Sequence, residues 1–493
     1  ALPIFMRSHL EKILIHSNVS PESLALIVGK QSLTYRELVQ RAYYLAQQIP
    51  VKNNNIGLYT DNNLDMYVGI LAIWFSGNAY VPINHKFPLD RLHRIVAESE
   101  IQYFIGVKDS AVDPAIYELG KWIFYPSSYS EVAQFEIQYF EWAYTLFTSG
   151  STGVPKGIPI SHDNVEALML DMWERYPLGN GNKVLQAFEL SFDVSIACIL
   201  LAWTQGAALV VTDVNGITAV QAFKSTYDHQ VDFVVLPPSA LFYIKKLKLL
   251  AMTLPWVKTT LFTGEALPYN VVEEWKSCAA HSVVDNAYGP TEGTVWSLID
   301  RIDSQTSQQL VNGLCPIGGA LKTIDIRIVN EQGATAAPGE RGELWIGGPQ
   351  IFNGYVHLPD KTKEVLFQEN DTNWYKTGDI VFENDAKKIM YVNRKDNQVQ
   401  VNGYRVELGE VEHHLRNEIK SDAAVVLSHA HDGVTELYAF AESEVLQSEN
   451  ILEGLRKKMP GYMVPRKVFI LPSLPVNSSG KIDKASLRKL IET

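Results

Sequence analysis

The chain predicts an α/β protein. Its large N-terminal region is expected to hold layered α/β subdomains and a small, barrel-like β-rich part. A small α+β domain is expected to follow at the C-terminus. Three observations carry this expectation. Through the first half, short β-branched or apolar runs alternate with segments of helical period, the pattern of parallel strands joined by crossover helices. From about residue 315 to 393 the runs are separated instead by Gly/Pro/Asn turns. With 493 residues the chain is also too long for one core, so two to four folding units are expected.

The elements follow in order. A strand is expected at 56–60 and a helix at 64–76. Tyr80-Val81-Pro82-Ile83 is extended, and 88–98 is helical. The apolar stretch 142–147 reads as a buried strand. A helix starts after Ser161, a good N-cap, with Val165, Leu168, Met169 and Met172 as its apolar stripe. Strands at 208–212 and 231–236 flank a helical stretch near 220–228. The β-rich part, 315–393, carries strands at 323–329, 342–346 and 388–392. A boundary falls at Arg394-Lys395-Asp396-Asn397, separating 1–395 from 396–493. Past it come strands at 398–401, 423–428 and 436–441, with helices at 408–417 and 450–458.

Bulk properties exclude several classes. A net charge of −12 argues against nonspecific nucleic-acid binding. Apolar runs of about 18 residues are missing, so no membrane span is expected. The start, Ala1-Leu2-Pro3-Ile4-Phe5-Met6-Arg7, has no signal-peptide pattern, and the lack of an initiating methionine points to a trimmed start. Cys198, Cys278 and Cys315 are scattered without metal spacing, as expected of reduced thiols in a cytoplasmic protein.

The most telling segment is Leu146-Phe147-Thr148-Ser149-Gly150-Ser151-Thr152-Gly153-Val154-Pro155-Lys156-Gly157. Glycines let backbone N–H groups turn toward an anion, hydroxyls add donors, and a lysine adds a compact charge. A standard P-loop needs Gly-Lys-Ser/Thr opening a helix; here Gly157-Ile158-Pro159 follows the lysine. Asn286-Ala287-Tyr288-Gly289-Pro290-Thr291-Glu292 offers an aromatic face, an amide and a carboxylate suited to Mg²⁺. Tyr375-Lys376-Thr377-Gly378-Asp379 sets an acid after a glycine turn, apt for a ribose diol. Asn477-Ser478-Ser479-Gly480-Lys481 presents a lysine on a turn near the C-terminus.

In this order the segments resemble the adenylate-forming superfamily of acyl-CoA synthetases, luciferases and nonribosomal-peptide adenylation domains. The chain looks most like the last group. Further matches are Leu33-Thr34-Tyr35-Arg36-Glu37-Leu38, Asn78-Ala79-Tyr80-Val81-Pro82-Ile83, Phe192-Asp193-Val194-Ser195, Gly342-Glu343-Leu344-Trp345-Ile346-Gly347-Gly348 and Gly461-Tyr462-Met463-Val464-Pro465. Three positions depart from the pattern. Asn84 stands where an acid is usual, Asn393 where a glycine is common, and Pro349-Gln350 follows Gly347-Gly348 where another glycine is usual.

The resemblance implies ligation of a carboxylic acid to AMP with release of pyrophosphate, followed by transfer to a thiol, with ATP and Mg²⁺ as cofactors. It implies that Thr148, Ser149, Gly150, Ser151, Thr152, Gly153 and Lys156 hold the β- and γ-phosphates, and that Gly264, Ala287 and Gly289 line the nucleotide. Thr291 would contact the α-phosphate and Glu292 would bind the metal. Tyr288 would stack on adenine and Asn286 would read its amino edge. Asp379 would hold the ribose, assisted by Arg394. Lys481 would be the direct catalyst, Asp396 the hinge of a mobile C-terminal domain, and Gly403 part of the thiol's path.

For the acid, the resemblance assigns Asp193, beside Phe192, to a substrate ammonium. A helix N-cap is the competing role. The remaining pocket positions are Val194, Ala197, Ser239, Leu261, Thr263, Ala287, Val295 and Trp296, with Lys481 at the carboxylate. None of those eight is charged, so a neutral amino acid is favoured. Ala197 makes room that Trp296 partly takes back. Proline, branched aliphatic and aromatic substrates all stay open. An acyl- or aryl-CoA ligase and an inactive nucleotide-binding protein are the alternatives. The expected acceptor is a phosphopantetheinylated carrier protein, with CoA also possible, and neither nucleic acid nor membrane is an expected partner. The chain stops twelve residues after Lys481, which fits either a freestanding enzyme or one module of a synthetase.

Overall fold

A computed structural model describes residues 8–109, 112–132, 136–149, 155–213, 216–395, 398–421, 423–431, 433–442, 447–475 and 482–492. The chain divides into two compact units. The first comprises Ala1–Asn84, Val96–Leu146 and Gly157–Lys395; the second comprises His85–Ile95, Phe147–Lys156 and Asp396–Thr493.

In the first unit, described residues form a nine-stranded sheet. Its strands run Gly319–Ala320, Leu298–Ile302, Val283–Tyr288, Thr259–Thr263, Phe233–Leu236, Lys183–Gln186, Ala208–Val211, Leu24–Val28 and Gln31–Thr34. The six strands from Val283–Tyr288 to Leu24–Val28 pair in parallel, and the outer ones are antiparallel. A second sheet orders Lys121–Phe124, Tyr103–Gly106, Asn55–Thr60, Ala79–Asn84, Trp142–Thr148 and Lys156–Ser161, of which Phe147, Thr148 and Lys156 count with the second unit. Helices Leu64–Phe75 and Val194–Trp203 are apolar almost all round and almost wholly buried, as helices within layers must be. The β-rich part is antiparallel and built from Asp325–Val329, Gly342–Gly347, Leu366–Glu369, Thr372–Glu383 and Ile389–Arg394. One apolar core runs through all three sheets.

Local chemistry explains several matched segments. Thr34 caps helix Tyr35–Ala46 and Glu37 answers its backbone N–H at 2.8 Å, so Thr34-Tyr35-Arg36-Glu37 is a capping box. Ser161 caps helix His162–Arg175, whose Val165, Leu168, Met169 and Met172 are buried as expected. Asn84 donates to the Glu189 carboxylate at 2.7 Å. The acid usual at position 84 would set two carboxylates against each other there.

The second unit carries a three-stranded sheet of Ala424–His431, Val434–Glu442 and Lys467–Leu471, with helices Leu408–Ile419 and Ser448–Arg456 packed on it. Hairpin Gln398–Val401 and Tyr404–Glu407 turns at Asn402-Gly403, whose φ values of 52° and 84° are those of an Asn-Gly type I′ turn. Burial, then the nearby His413, Arg94, Arg91 and Lys458, push His414 down to about 4, so it is neutral near pH 7. Its folded value lies below the unfolded one, about 6.5. The unfolded chain therefore binds more protons between those values, and this contribution to stability is lost as pH falls from about 6.5 toward 4. Chemical denaturation at pH 7 and pH 4.5 is expected to show a smaller acid loss in His414→Gln than in the parent.

No helix among the described residues is long and apolar enough to cross a membrane. Cys198, Cys278 and Cys315 are buried and unbridged. Burial raises all three thiols, Cys278 to about 11 and Cys315 to about 12.

Candidate active site

Strand Val283–Tyr288 carries Asn286, Ala287 and Tyr288 to its carboxyl end, where ligands commonly bind in open α/β sheets. Ala287 faces Thr263 on the neighbouring strand, and Gly264 (φ 86°) turns the chain just beyond. Asn286 is 1% exposed and its amide donates to the Pro316 carbonyl at 2.7 Å. After Tyr288 the chain doubles back on itself. A β-carbon at Gly289 would lie 2.3 Å from the Val295 carbonyl oxygen, so only glycine allows the approach. The 3₁₀ turn Thr291–Gly293 then buries Glu292 completely. The Tyr355 hydroxyl donates to its carboxylate at 2.8 Å, and the Phe352 N–H donates to its backbone carbonyl at 2.9 Å.

Asp379 comes from the interior of a strand, although Gly378 reads locally as a turn. Lys376 pairs with Trp345 and Ile380 with Glu343, so Thr377, Gly378 and Asp379 bulge opposite Leu344. Gly378 supplies the positive φ of 75°. Bulges of this kind re-aim side chains. Here the Asp379 carboxylate meets the Tyr288 hydroxyl, and Arg394 across the ladder donates to it at 2.8 Å. Arg394 also donates to the Thr377 carbonyl at 3.0 Å. Burial, then Asp379, push the Tyr288 phenol well above its usual value, keeping it a neutral donor.

The acyl-side candidates converge on the main core. Val194, Ala197, Leu261, Ala287, Val295 and Trp296 all belong to it. The Trp296 indole donates to the Thr263 hydroxyl at 3.0 Å. Asp193 occupies the N-cap position of helix Val194–Trp203, yet its side chain makes no capping hydrogen bond. Ser195 instead donates to the Phe192 carbonyl, by hydroxyl at 2.6 Å and by N–H at 3.1 Å. Burial, then the Asp193 charge, raise the phenols of Tyr80 and Tyr144, whose rings lie 5.7 Å apart. The Tyr144 hydroxyl is buried without a hydrogen-bond partner among the described residues. Ser239 is engaged by Glu265, which accepts from its hydroxyl at 3.0 Å and its N–H at 2.9 Å.

Three phosphate-loop candidates lie in the second unit. Ser149 donates to the Arg405 carbonyl at 3.1 Å and accepts from the Glu407 N–H at 3.0 Å. Lys156 lies 3.8 Å from the Glu407 carboxylate. The Thr148 hydroxyl is buried without a partner among the described residues. Gly150, Ser151, Thr152, Gly153, Asp396 and Lys481 lie outside the described residues.

Sequence reasoning gave no role to Tyr355, Glu265, Glu407, Tyr80, Tyr144 or Gln350. Each acts on a candidate far away in sequence, so spacing could not reveal it. Tyr80 and Tyr144 did stand in or beside matched segments, which was the available signal.

Comparison with known proteins gives a consistent set. The profile described as "AMP-binding enzyme" matches residues 15–356. Zwittermicin A synthase ZmaJ of Bacillus cereus is 30% identical, over 96% of this chain and 93% of that protein. Gramicidin S synthase 2 of Brevibacillus brevis is 30% identical over 95% of this chain, which spans only 11% of that protein's length. Among solved structures, holo-PA1221, an NRPS protein containing adenylation and PCP domains, superposes with a TM-score of 0.86 at 21% identity. That match covers 98% of this chain and 84% of the other and shows the shared fold.

Proposed function

Because this chain belongs to the AMP-binding enzyme family, as an adenylate-forming ligase of the nonribosomal-peptide-synthetase type, we propose that it activates a neutral amino acid and passes it to a carrier-protein thiol. A substrate carboxylate oxygen attacks the α-phosphorus of ATP, the bond to the bridging β-phosphate oxygen breaks, and pyrophosphate leaves. The phosphopantetheine thiolate of a carrier then attacks the acyl carbon and AMP departs. The multi-domain make-up of PA1221 supports a carrier as acceptor. We place the reaction in the cytoplasm, where ATP is present and the three buried thiols stay reduced.

One observation carries the amino-acid reading: Asp193 sets a carboxylate directly before Val194, at the start of the helix that also carries Ala197. A carboxylate beside eight uncharged pocket positions suits a substrate ammonium. On the nucleotide side, Tyr288 stacks on adenine, the Asp379–Arg394 pair holds the ribose, Thr291 contacts the α-phosphate, and Lys481 bridges the two reacting anions. Thr148, Ser149 and Lys156 hold the β- and γ-phosphates.

Glu292 fits Mg²⁺ brought in with the nucleotide. Among the described residues no cluster of three or more His, Cys, Asp or Glu could hold a metal unaided. Mg²⁺ commonly takes one or two protein carboxylates and fills its shell with phosphates and water. When bound, it neutralises phosphate charge. Tyr355 orients the Glu292 carboxylate for that contact.

Pyrophosphate exchange over a panel of amino acids, with benzoate and fatty acids as controls, tests the reading. Exchange driven by neutral amino acids supports it; exchange driven only by acids without an amine makes the chain a CoA-ligase type. Asp379→Asn is expected to raise KM for ATP about tenfold to a hundredfold, the worth of a charged hydrogen bond. KM for the amino acid should stay within about twofold. An unchanged KM for ATP would remove Asp379 from the ribose.

A further inference from the structure

Gln350 belongs to the Pro349-Gln350 pair that departs from the pattern of the resembling family, and its side chain is fully buried. Its amide nitrogen faces three carbonyls of one turn: Gly293 at 3.1 Å, Thr294 at 3.4 Å and Trp296 at 2.8 Å. Its amide oxygen accepts from the Thr323 hydroxyl at 2.7 Å, and its backbone carbonyl accepts from the Thr294 hydroxyl at 2.5 Å. Gly348 brings this segment close. A β-carbon there would sit 2.2 Å from the Thr323 carbonyl oxygen.

The turn so held is strained. Thr294 and Val295 have φ values of 58° and 69°, consecutive β-branched residues in the left-handed region. Such backbone persists only where its surroundings over-determine it. Val295 and Trp296, the next residues along, are both wall positions of the acyl pocket, and Trp296 is pinned at its far end by Thr263. A glycine at 350 has no side chain to reach these carbonyls.

We propose that Gln350 is a specificity-determining positioning residue: it clamps the turn 293–296 in its left-handed form and fixes Val295 and Trp296 as a rigid wall of the amino-acid pocket. This rests on reading that pocket as the side-chain site. A rigid wall separates side chains differing by one methylene better than a yielding one.

Gln350→Met keeps length without donors, and Gln350→Gly removes the side chain. In both, the kcat/KM ratio between the preferred amino acid and its one-methylene neighbour should fall about tenfold. KM for the amino acid should rise while KM for ATP stays within about twofold. Hydrogen exchange at the amides of Gly293, Thr294, Trp296 and Ser297, all internally bonded, should quicken. Unchanged discrimination in a folded variant would overturn the proposal. Should either variant fail to fold, Thr323→Val removes only the hydroxyl that orients the amide. It should shift the same ratio in the same direction, and an unmoved ratio overturns the clamp. If the parent shows no amino-acid-dependent exchange, the functional reading fails by itself. Amide exchange then decides the clamp: faster exchange upholds it and unchanged protection overturns it.

Discussion

Lys481→Ala is expected to lower amino-acid-dependent pyrophosphate exchange by about 10²–10³, the usual loss when one preorganised donor to a reacting group is removed. The reaction brings two anions together, a carboxylate and a triphosphate, and their repulsion must be offset at the point of attack. An ammonium that touches both does this only when they meet, so its loss falls mainly on kcat. Pro475 and Asp483, on either side of this stretch, are hydrogen-bonded through the Asp483 N–H and the Pro475 carbonyl at 2.7 Å. A purely catalytic role for Lys481 predicts a melting temperature near that of the parent. Full exchange activity in the variant would take Lys481 out of catalysis. A large drop in melting temperature would assign it a structural role instead.

Asp193→Ala is expected to lower kcat/KM for the preferred amino acid by roughly 10²–10³, since truncating one partner of a desolvated charge pair costs about 2–5 kcal/mol. The substitution removes no capping bond from helix Val194–Trp203, because the carboxylate makes none. Tyr80 and Tyr144 beside it remain protonated and carry no charge to replace it. The discriminating comparison is Asp193→Asn with the deaminated analogue of the preferred amino acid. The variant should narrow the gap between the two acids, because the amide no longer favours the ammonium. A variant that keeps the parent's preference would place the ammonium elsewhere.

Much of this was legible in the chain because its signals are local. Ser161 followed by a 3.6-residue stripe of Val165, Leu168, Met169 and Met172 fixes a helix start without any tertiary information. The strand expected at 398–401 is found, but its partner Tyr404–Glu407 across the Asn402-Gly403 turn was not anticipated. The Gly378-Asp379 dipeptide was read as a turn, because an isolated glycine gives no local sign of a bulge. Only pairing with Gly342–Gly347 and Ile389–Arg394 resolves it as a bulge that aims Asp379 at Tyr288 and Arg394. Helix Ser8–Val19 was not anticipated; its apolar residues form no strong one-sided stripe. Glu292 was recognised by its motif, but Tyr355, which orients it, lies 63 residues away. Gln350 was visible only as part of the Pro349-Gln350 departure after Gly347-Gly348. Its meaning depends on the left-handed turn at Thr294 and Val295, which no local pattern announces.

The most direct test of the account is pyrophosphate exchange by the purified chain with ATP, Mg²⁺ and each of the twenty amino acids in turn. ATP-dependent exchange is expected with one or a few neutral amino acids and not with Asp, Glu, Lys or Arg. Exchange indifferent to the amino acid supplied, or driven only by acids that lack an amine, would contradict it.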